Sequence, residues 1–380
     1  MNIPHPKLVR CSTLLLGVVF VSQTFLSAMP NHLIYFGTYT RTPSTGKGIY
    51  SVRLDDDTGA LSTPTLVAEA VNPAWITLSP DKKHLYTISA TKAQAAAYSV
   101  DATTSKLTPL AAATSPEAAP PSHLVVDATG RLLLAANYAD GYLSAIPIHP
   151  DGSLGAPTVT RHSGHSVHPT RQDKPHVHSV TLSPDNRYVI VCDLGLDKIF
   201  TYAIDPAAAK ATPANPAFVA AETGAGPRHF KFGQDGRHAY AINGLGSTIT
   251  TYDYDAAHGA LSPRQTVPTI PPGFTDATTA AEIRVHPSGK FVYGSNRGHN
   301  SIAVFAINPA DGRLTSVEIV PSGGKVPRNF AFSPNGKWLV CAHQDSDNLT
   351  VFRVDSATGR LTPTGNTAKV SMAVCVLFYD

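Results

Sequence analysis

The stretch AAEIRVHPSGKFVYGSNRGHNSIAVFAI, residues 280–307, decides the fold. Ile283 and Val285 alternate with polar neighbours, PSGK turns the chain, and Phe291, Val292 and Tyr293 make a second apolar run. After the elbow SNRGHN a third run carries Ile302, Val304, Phe305 and Ile307. Short runs of this kind bounded by turn residues read as strands. Pro287 presets φ for the first central position of the turn, and Gly289 accepts the positive φ that closes it. The unit is therefore an antiparallel meander whose elbow displays Asn296, Arg297 and His299.

The template recurs. It is found as PAWITLSPDKKHLYTI from Pro73, PSHLVVDATGRLLLAANY from Pro121 and VHSVTLSPDNRYVIVCDLG from Val177. Two further copies are PRHFKFGQDGRHAYAING from Pro227 and PRNFAFSPNGKWLVCAHQ from Pro327. Each copy leads into a strand ending in an aromatic-plus-acid signature, such as AYSVD, TYAIDP, TYDYD or VFRVD. Four-stranded units at a period of roughly 50 residues mark a β-propeller. The expected fold is all-β, a seven-bladed propeller of four-stranded antiparallel blades. YFGTYT, residues 35–40, reads as the second strand of a blade, and MAVCVLF, residues 372–378, as its missing first strand. Joining the two ends closes the ring and removes its last free edge.

At 380 residues the chain suits one closed propeller over residues 29–380. A charged fraction of 15%, with 28 glycines and 31 prolines, fits many short strands and tight turns. A net charge of +3 spread along the chain argues against nucleic acid and for a small-molecule partner, and the expectation is a monomer. Lys7 and Arg10 precede an apolar segment, residues 13–26, and the small pair Ser27-Ala28. This pattern predicts a signal peptide over residues 1–28 and a periplasmic or secreted protein, free of the membrane after cleavage. The alternative is an uncleaved anchor, since the segment is only slightly shorter than a bilayer span. Cys11 precedes the apolar run, so no lipid anchor is read there. Cys192, Cys341 and Cys375 sit in apolar strand patterns, and their odd number predicts buried free thiols.

A long connection, RHSGHSVHPTRQDKPHVHS, carries His162, His165, His168, His176 and His178 between the third and fourth blades. Spaced imidazoles allow a metal. With no carboxylate-rich loop nearby, neither a metal nor a cofactor is expected. The elbow of the second blade, SATKAQAA, lacks the Asn or Asp of the others and promises little chemistry. The proline-rich PTIPPGFTDATTA between the fifth and sixth blades is expected to lie over the channel mouth.

In a propeller the first strand of each blade lines the channel, so residues at the starts of those strands meet at one mouth. Collected, they are His123, His176, His178, Arg228, His229, Glu282, Arg328 and Asn329. The elbows add Asn137, Asp193, Asn243, Arg297, His299 and Gln344. Arginines, histidines and a carboxylate at one mouth make an anion-binding site with a proton-transfer group.

These motifs carry a resemblance. GTYT, PHVHS, DLGLDK, GPRHFKF, SNRGHNSIAVF, PRNFAFSPNGK and the closing strand together resemble the seven-bladed propeller lactonase family, which includes 6-phosphogluconolactonases and carboxy-cis,cis-muconate cyclases. The resemblance spans nearly all the chain after the first segment and implies hydrolysis of a sugar-acid lactone, with an anionic lactone as substrate. It places the family's catalytic histidine on His178, with His176 as the alternative, its arginines on Arg228 and Arg297, and its glutamate on Glu282. In this reading the histidine is the general base, the arginines hold an anionic group or the oxyanion, and Glu282 orients the histidine or protonates the leaving alkoxide. His123, Asn137, His229, Asn243, His299, Arg328 and Gln344 are expected to bind substrate. One position departs: where relatives often read Asn-Glu after the second strand of the fifth blade, this chain has Asn243-Gly244. That departure keeps open a non-catalytic extracytoplasmic binding propeller, and the muconate branch of the family keeps open a lactonising cycloisomerase.

Overall fold

The structure is a computed structural model that describes residues 1–5, 31–89, 94–111 and 120–379. Residues 6–28 of the expected signal segment, with its apolar run and cleavage site, lie outside the described residues, as do residues 90–93 of the second elbow. Among the described residues no helix is long and apolar enough to cross a membrane.

The described strands form seven four-stranded antiparallel sheets, and the innermost strands touch one another in sequence around a closed ring. Running outward, the sixth blade consists of Thr279–Val285, Phe291–Arg297, Ser301–Ile307 and Leu314–Pro321, as its sequence pattern requires. The first blade is completed as expected. The C-terminal strand Ala373–Phe378 is innermost and pairs antiparallel with Asn31–Thr38, setting Ile34 opposite Phe378 and Gly37 opposite Cys375.

Strand alternation supplies the core. Because successive side chains leave opposite faces of a sheet, Val292 packs toward Tyr240 and Ile242 of the fifth blade, while its neighbours Phe291 and Tyr293 pack toward Phe330 and Leu339 of the seventh. The acids of the repeated signature close turns. The carboxylates of Asp55, Asp101, Asp205, Asp255 and Asp355 each accept the backbone N–H two residues on. In the second, fifth and sixth blades a tyrosine of the second strand latches the blade to the next. The hydroxyl of Tyr86 donates to the carbonyl of Gly152 at 3.2 Å, that of Tyr240 to Gly312 at 3.1 Å and that of Tyr293 to Gly359 at 2.5 Å. Cys192, Cys341 and Cys375 are buried and free.

One irregularity positions the site. The closing strand slips in register at Val374, and four other innermost strands slip at the channel mouth: between Val177 and Ser179, Pro227 and His229, Ala280 and Ile283, and Pro327 and Asn329. The extra residues of these four are His178, Arg228, Ala281 or Glu282, and Arg328. A bulge re-aims the side chain it inserts, and each of these four bulges carries a residue expected in the site.

Candidate active site

A cavity of about 450 Å³ opens at this mouth. Its floor carries His178, Arg228 and His229 from the bulged strands, with Arg297 from the sixth elbow and Arg328 from the seventh blade. Arg41 and Arg171 complete a set of five arginines, and among the described residues none that lines the cavity is acidic. Trp75, Tyr39 and Tyr138 supply its aromatic wall.

His229 is the hub. Its ring meets His178 edge-on at 5.2 Å between centroids, His123 at 5.3 Å and Trp75 at 5.4 Å. Nη1 of Arg228 lies 3.2 Å from its Nε2, and Oε2 of Glu282 lies 3.3 Å from its Nδ1, at ion-pair distance though not aligned as a hydrogen bond. The sequence reading sets Glu282 to orient the base at His178, but the carboxylate stands beside His229. Glu282 itself is fully buried behind the cavity wall. Its oxygens accept from Ile283 N–H at 3.1 Å and from the Asn329 amide, and Arg284 Nε stands 3.5 Å away.

Burial pushes the imidazoles of His178 and His229 well below their usual pKa, and the charge of Arg228 adds to the effect in both. His123 is depressed in the same way, by burial and then by His229. All three rings therefore stay neutral, the form that accepts a proton. Burial, with Arg297 and Arg328 alongside, likewise drives the Arg228 guanidinium well below its ordinary value, and Arg297 is lowered to about 9 by burial and the charge of Arg328. Cations crowded together in a dry cavity are relieved by an anion.

The expected residues do not all converge. His176 lies behind the wall, stacked on Tyr138 at 4.3 Å, with Nδ1 2.9 Å from the Tyr138 carbonyl and Nε2 3.5 Å from Asp173. Both its nitrogens are engaged, so of the two histidines only His178 faces the cavity. Asn137 and Asn243 turn back into their own elbows, donating to Ser144 and to Thr248 and Thr250. His299 bonds Ser301 at 2.7 Å and meets Phe274 edge-on, away from the cavity wall. Gln344 accepts from Arg328 at 3.3 Å and holds that arginine from behind. His123 stacks on Trp75 at 3.8 Å, beneath the wall. The proline-rich crossing stands beside the sixth elbow, where Thr278 bonds the Arg297 carbonyl, and does not line the cavity.

The histidine-rich loop scatters its imidazoles. His162 bridges Asp193 at 2.6 Å and Tyr202 at 2.9 Å inside the fourth blade, and among the described residues no group of three or more His, Cys, Asp or Glu side chains is placed to hold a metal. Besides His178, the loop brings to the mouth Arg171, whose Nε lies 3.4 Å from the Tyr138 hydroxyl. Tyr39, Arg41, Trp75 and Arg171 are lining residues that the sequence reading passed over. Trp75 was within reach, because PAW occupies the place of PRH and PRN in the repeat. At Gly244 an added Cβ would stand 3.3 Å from Cδ of Arg228, so the glycine leaves that flank of the guanidinium without a side chain.

Comparison with known proteins agrees with the architecture. The family described as "Lactonase, 7-bladed beta-propeller" matches residues 33–378. The chain is 36% identical over 307 residues to a 6-phosphogluconolactonase of Bacillus subtilis, covering 80% of this chain and 86% of the relative. It is 31% identical over 313 residues to a 6-phosphogluconolactonase of Formosa agariphila, covering 78% and 85%. Among solved structures, the periplasmic gluconolactonase of Pseudomonas aeruginosa superposes with a TM-score of 0.87 at 33% identity, over 92% of this chain and 99% of that one. With its ring of seven blades, its bulged mouth and these relatives, the chain belongs to the seven-bladed β-propeller lactonase family.

Proposed function

We propose that the protein hydrolyses the lactone of an anionic sugar acid, as a 6-phosphogluconolactonase-like enzyme. The observation that carries this reading is the cavity's charge: five arginines around neutral histidines, with the nearest carboxylate, Glu282, buried behind the wall. Guanidinium groups match carboxylate and phosphate geometrically and stabilise an oxyanion where it forms.

The chemistry balances with these groups alone. His178, held neutral, takes a proton from water as the hydroxide oxygen bonds the lactone carbonyl carbon. The carbonyl electron pair moves to oxygen and is held by Arg228 and Arg297. The tetrahedral intermediate then breaks its bond to the ring oxygen, and the alkoxide receives the proton from His178. The product is an open-chain hydroxy acid, which ionises. Glu282 stands behind Arg228, across the neutral His229, and supplies the nearby negative charge that favours its protonated guanidinium, as Glu282 raises the pKa that burial lowers.

The test is proton release, above the spontaneous rate, from glucono-δ-lactone and its 6-phosphate, using protein lacking the first 28 residues. The expected outcome is turnover, greater for the phosphorylated lactone, with kcat/KM falling by about a hundredfold or more in His178→Ala and Arg228→Ala. Wild-type rates in both variants overturn the assignment. No turnover of any lactone favours a binding propeller, and an absorbance change with muconates alone favours cycloisomerisation.

A further inference from the structure

The polar contacts behind the cavity converge on Glu282 from two sides, and both ends are set by groups that can only donate. At one end is the backbone N–H of Val376, in the closing strand Ala373–Phe378, which donates to Oδ1 of Asn329 at 2.9 Å. That contact settles which way the amide faces, an orientation otherwise open to choice. Nδ2 of Asn329 must then point to Oε2 of Glu282, and the two are in close contact. Glu282 is approached by donors on both oxygens, from Asn329 on one side and from Ile283 N–H and Arg284 on the other. At the other end Arg228 has no acceptor to offer, so the His229 Nε2 beside it carries the lone pair and Nδ1–H faces Glu282.

We propose that Asn329 is a positioning residue of the site. Oriented by the closing strand, it holds Glu282 as an acceptor, Glu282 holds His229 in the Nδ1–H form, and His229 Nε2 holds the Arg228 guanidinium at the cavity floor. The strand that closes the ring is thereby wired to the arginine that meets the substrate. Its catalytic consequence rests on the lactonase reading above, while the tautomer of His229 does not.

The discriminating variant is Asn329→Asp. Its carboxylate still accepts from Val376 N–H, so ring closure is kept, but it presents an oxygen where Glu282 requires a donor. Two carboxylates at that spacing hold a proton between them rather than both ionising. Glu282 then no longer pulls on Nδ1–H alone. In the wild type, ¹⁵N NMR of the histidine side chains is expected to show His229 as the Nδ1–H tautomer. In Asn329→Asp that tautomer is expected to lose its dominance, and kcat/KM for a lactone to fall by at least about tenfold, with the melting temperature kept within a few degrees.

Should Asn329→Asp fail to fold, Glu282→Gln reads the same chain from its centre. Its neutral amide removes the negative charge that Asn329 and His229 Nδ1 both face at Oε2, and a weakened preference for the Nδ1–H form is expected. The proposal is overturned if a folded Asn329→Asp protein keeps wild-type kcat/KM and the wild-type His229 tautomer, or if its activity loss follows entirely from lowered thermal stability. If the wild type turns over no lactone, the functional reading fails, and the tautomer comparison still decides this one.

Discussion

A histidine in this channel is an expensive residue kept in one protonation state. His123, His178 and His229 are each buried, and burial depresses all three. The sign of the consequence follows from linkage. Between the depressed folded values and the ordinary value of 6.5, the unfolded chain binds protons that the folded one refuses, so stability is lost as pH falls through that window. Each such proton contributes a slope of about 1.4 kcal/mol per pH unit. We expect the urea midpoint to drop steeply between pH 7 and 5, and His123→Phe to make that drop shallower, since it removes one of these protons from beneath Trp75. An unchanged slope in the variant would show that His123 is not held neutral. The arginines face the opposite problem: they keep their charge in a place that penalises it, and an anion is the natural relief.

Strands and turns here are built by repetition, and repeated contacts can be tested in parallel. Tyr86 and Tyr240 occupy equivalent second strands, and each hydroxyl donates to a glycine carbonyl in the turn of the following blade. Removing such a hydroxyl leaves a buried carbonyl short of a donor, at a cost of about 1 kcal/mol. Chemical denaturation of Tyr86→Phe and Tyr240→Phe is expected to show this loss singly. The double variant should show the sum within roughly 0.5 kcal/mol, because the two sites are blades apart. The mouth bulges are a second repeated device. They explain why residues that read as ordinary strand starts, HVHS, GPRH and PRN, present His178, Arg228 and Arg328 to one cavity. The elbows are the converse case: Asn137 and Asn243 have the polarity of site residues, but they satisfy hydroxyls of their own elbows, so their chemistry is spent locally.

The molecule as a whole depends on its ends meeting. Deleting residues 373–380 would strip the innermost strand from the first blade, leave the edge of Asn31–Thr38 unpaired and remove the Val376 N–H that orients Asn329. The expected result is loss of the cooperative unfolding transition and concentration-dependent aggregation, seen by calorimetry and light scattering. A truncated protein that melts like the full chain would show that closure is not what stabilises the ring. From the amino-acid order alone came the blade count, the four-stranded plan, the joined termini and the buried thiols, because strand period, turn chemistry and repeat length are local properties written along the chain. His178, Arg228 and Arg297 could likewise be picked out, since they stand at equivalent points of the repeat. Folding in three dimensions alone decided that Glu282 faces His229 rather than His178, that Arg41, Trp75 and Arg171 join the wall, and that Asn137, Asn243 and His299 do not. Those outcomes depend on one-residue slips in register and on contacts between blades far apart in the chain, and neither leaves a periodic mark for a reader of the sequence to find.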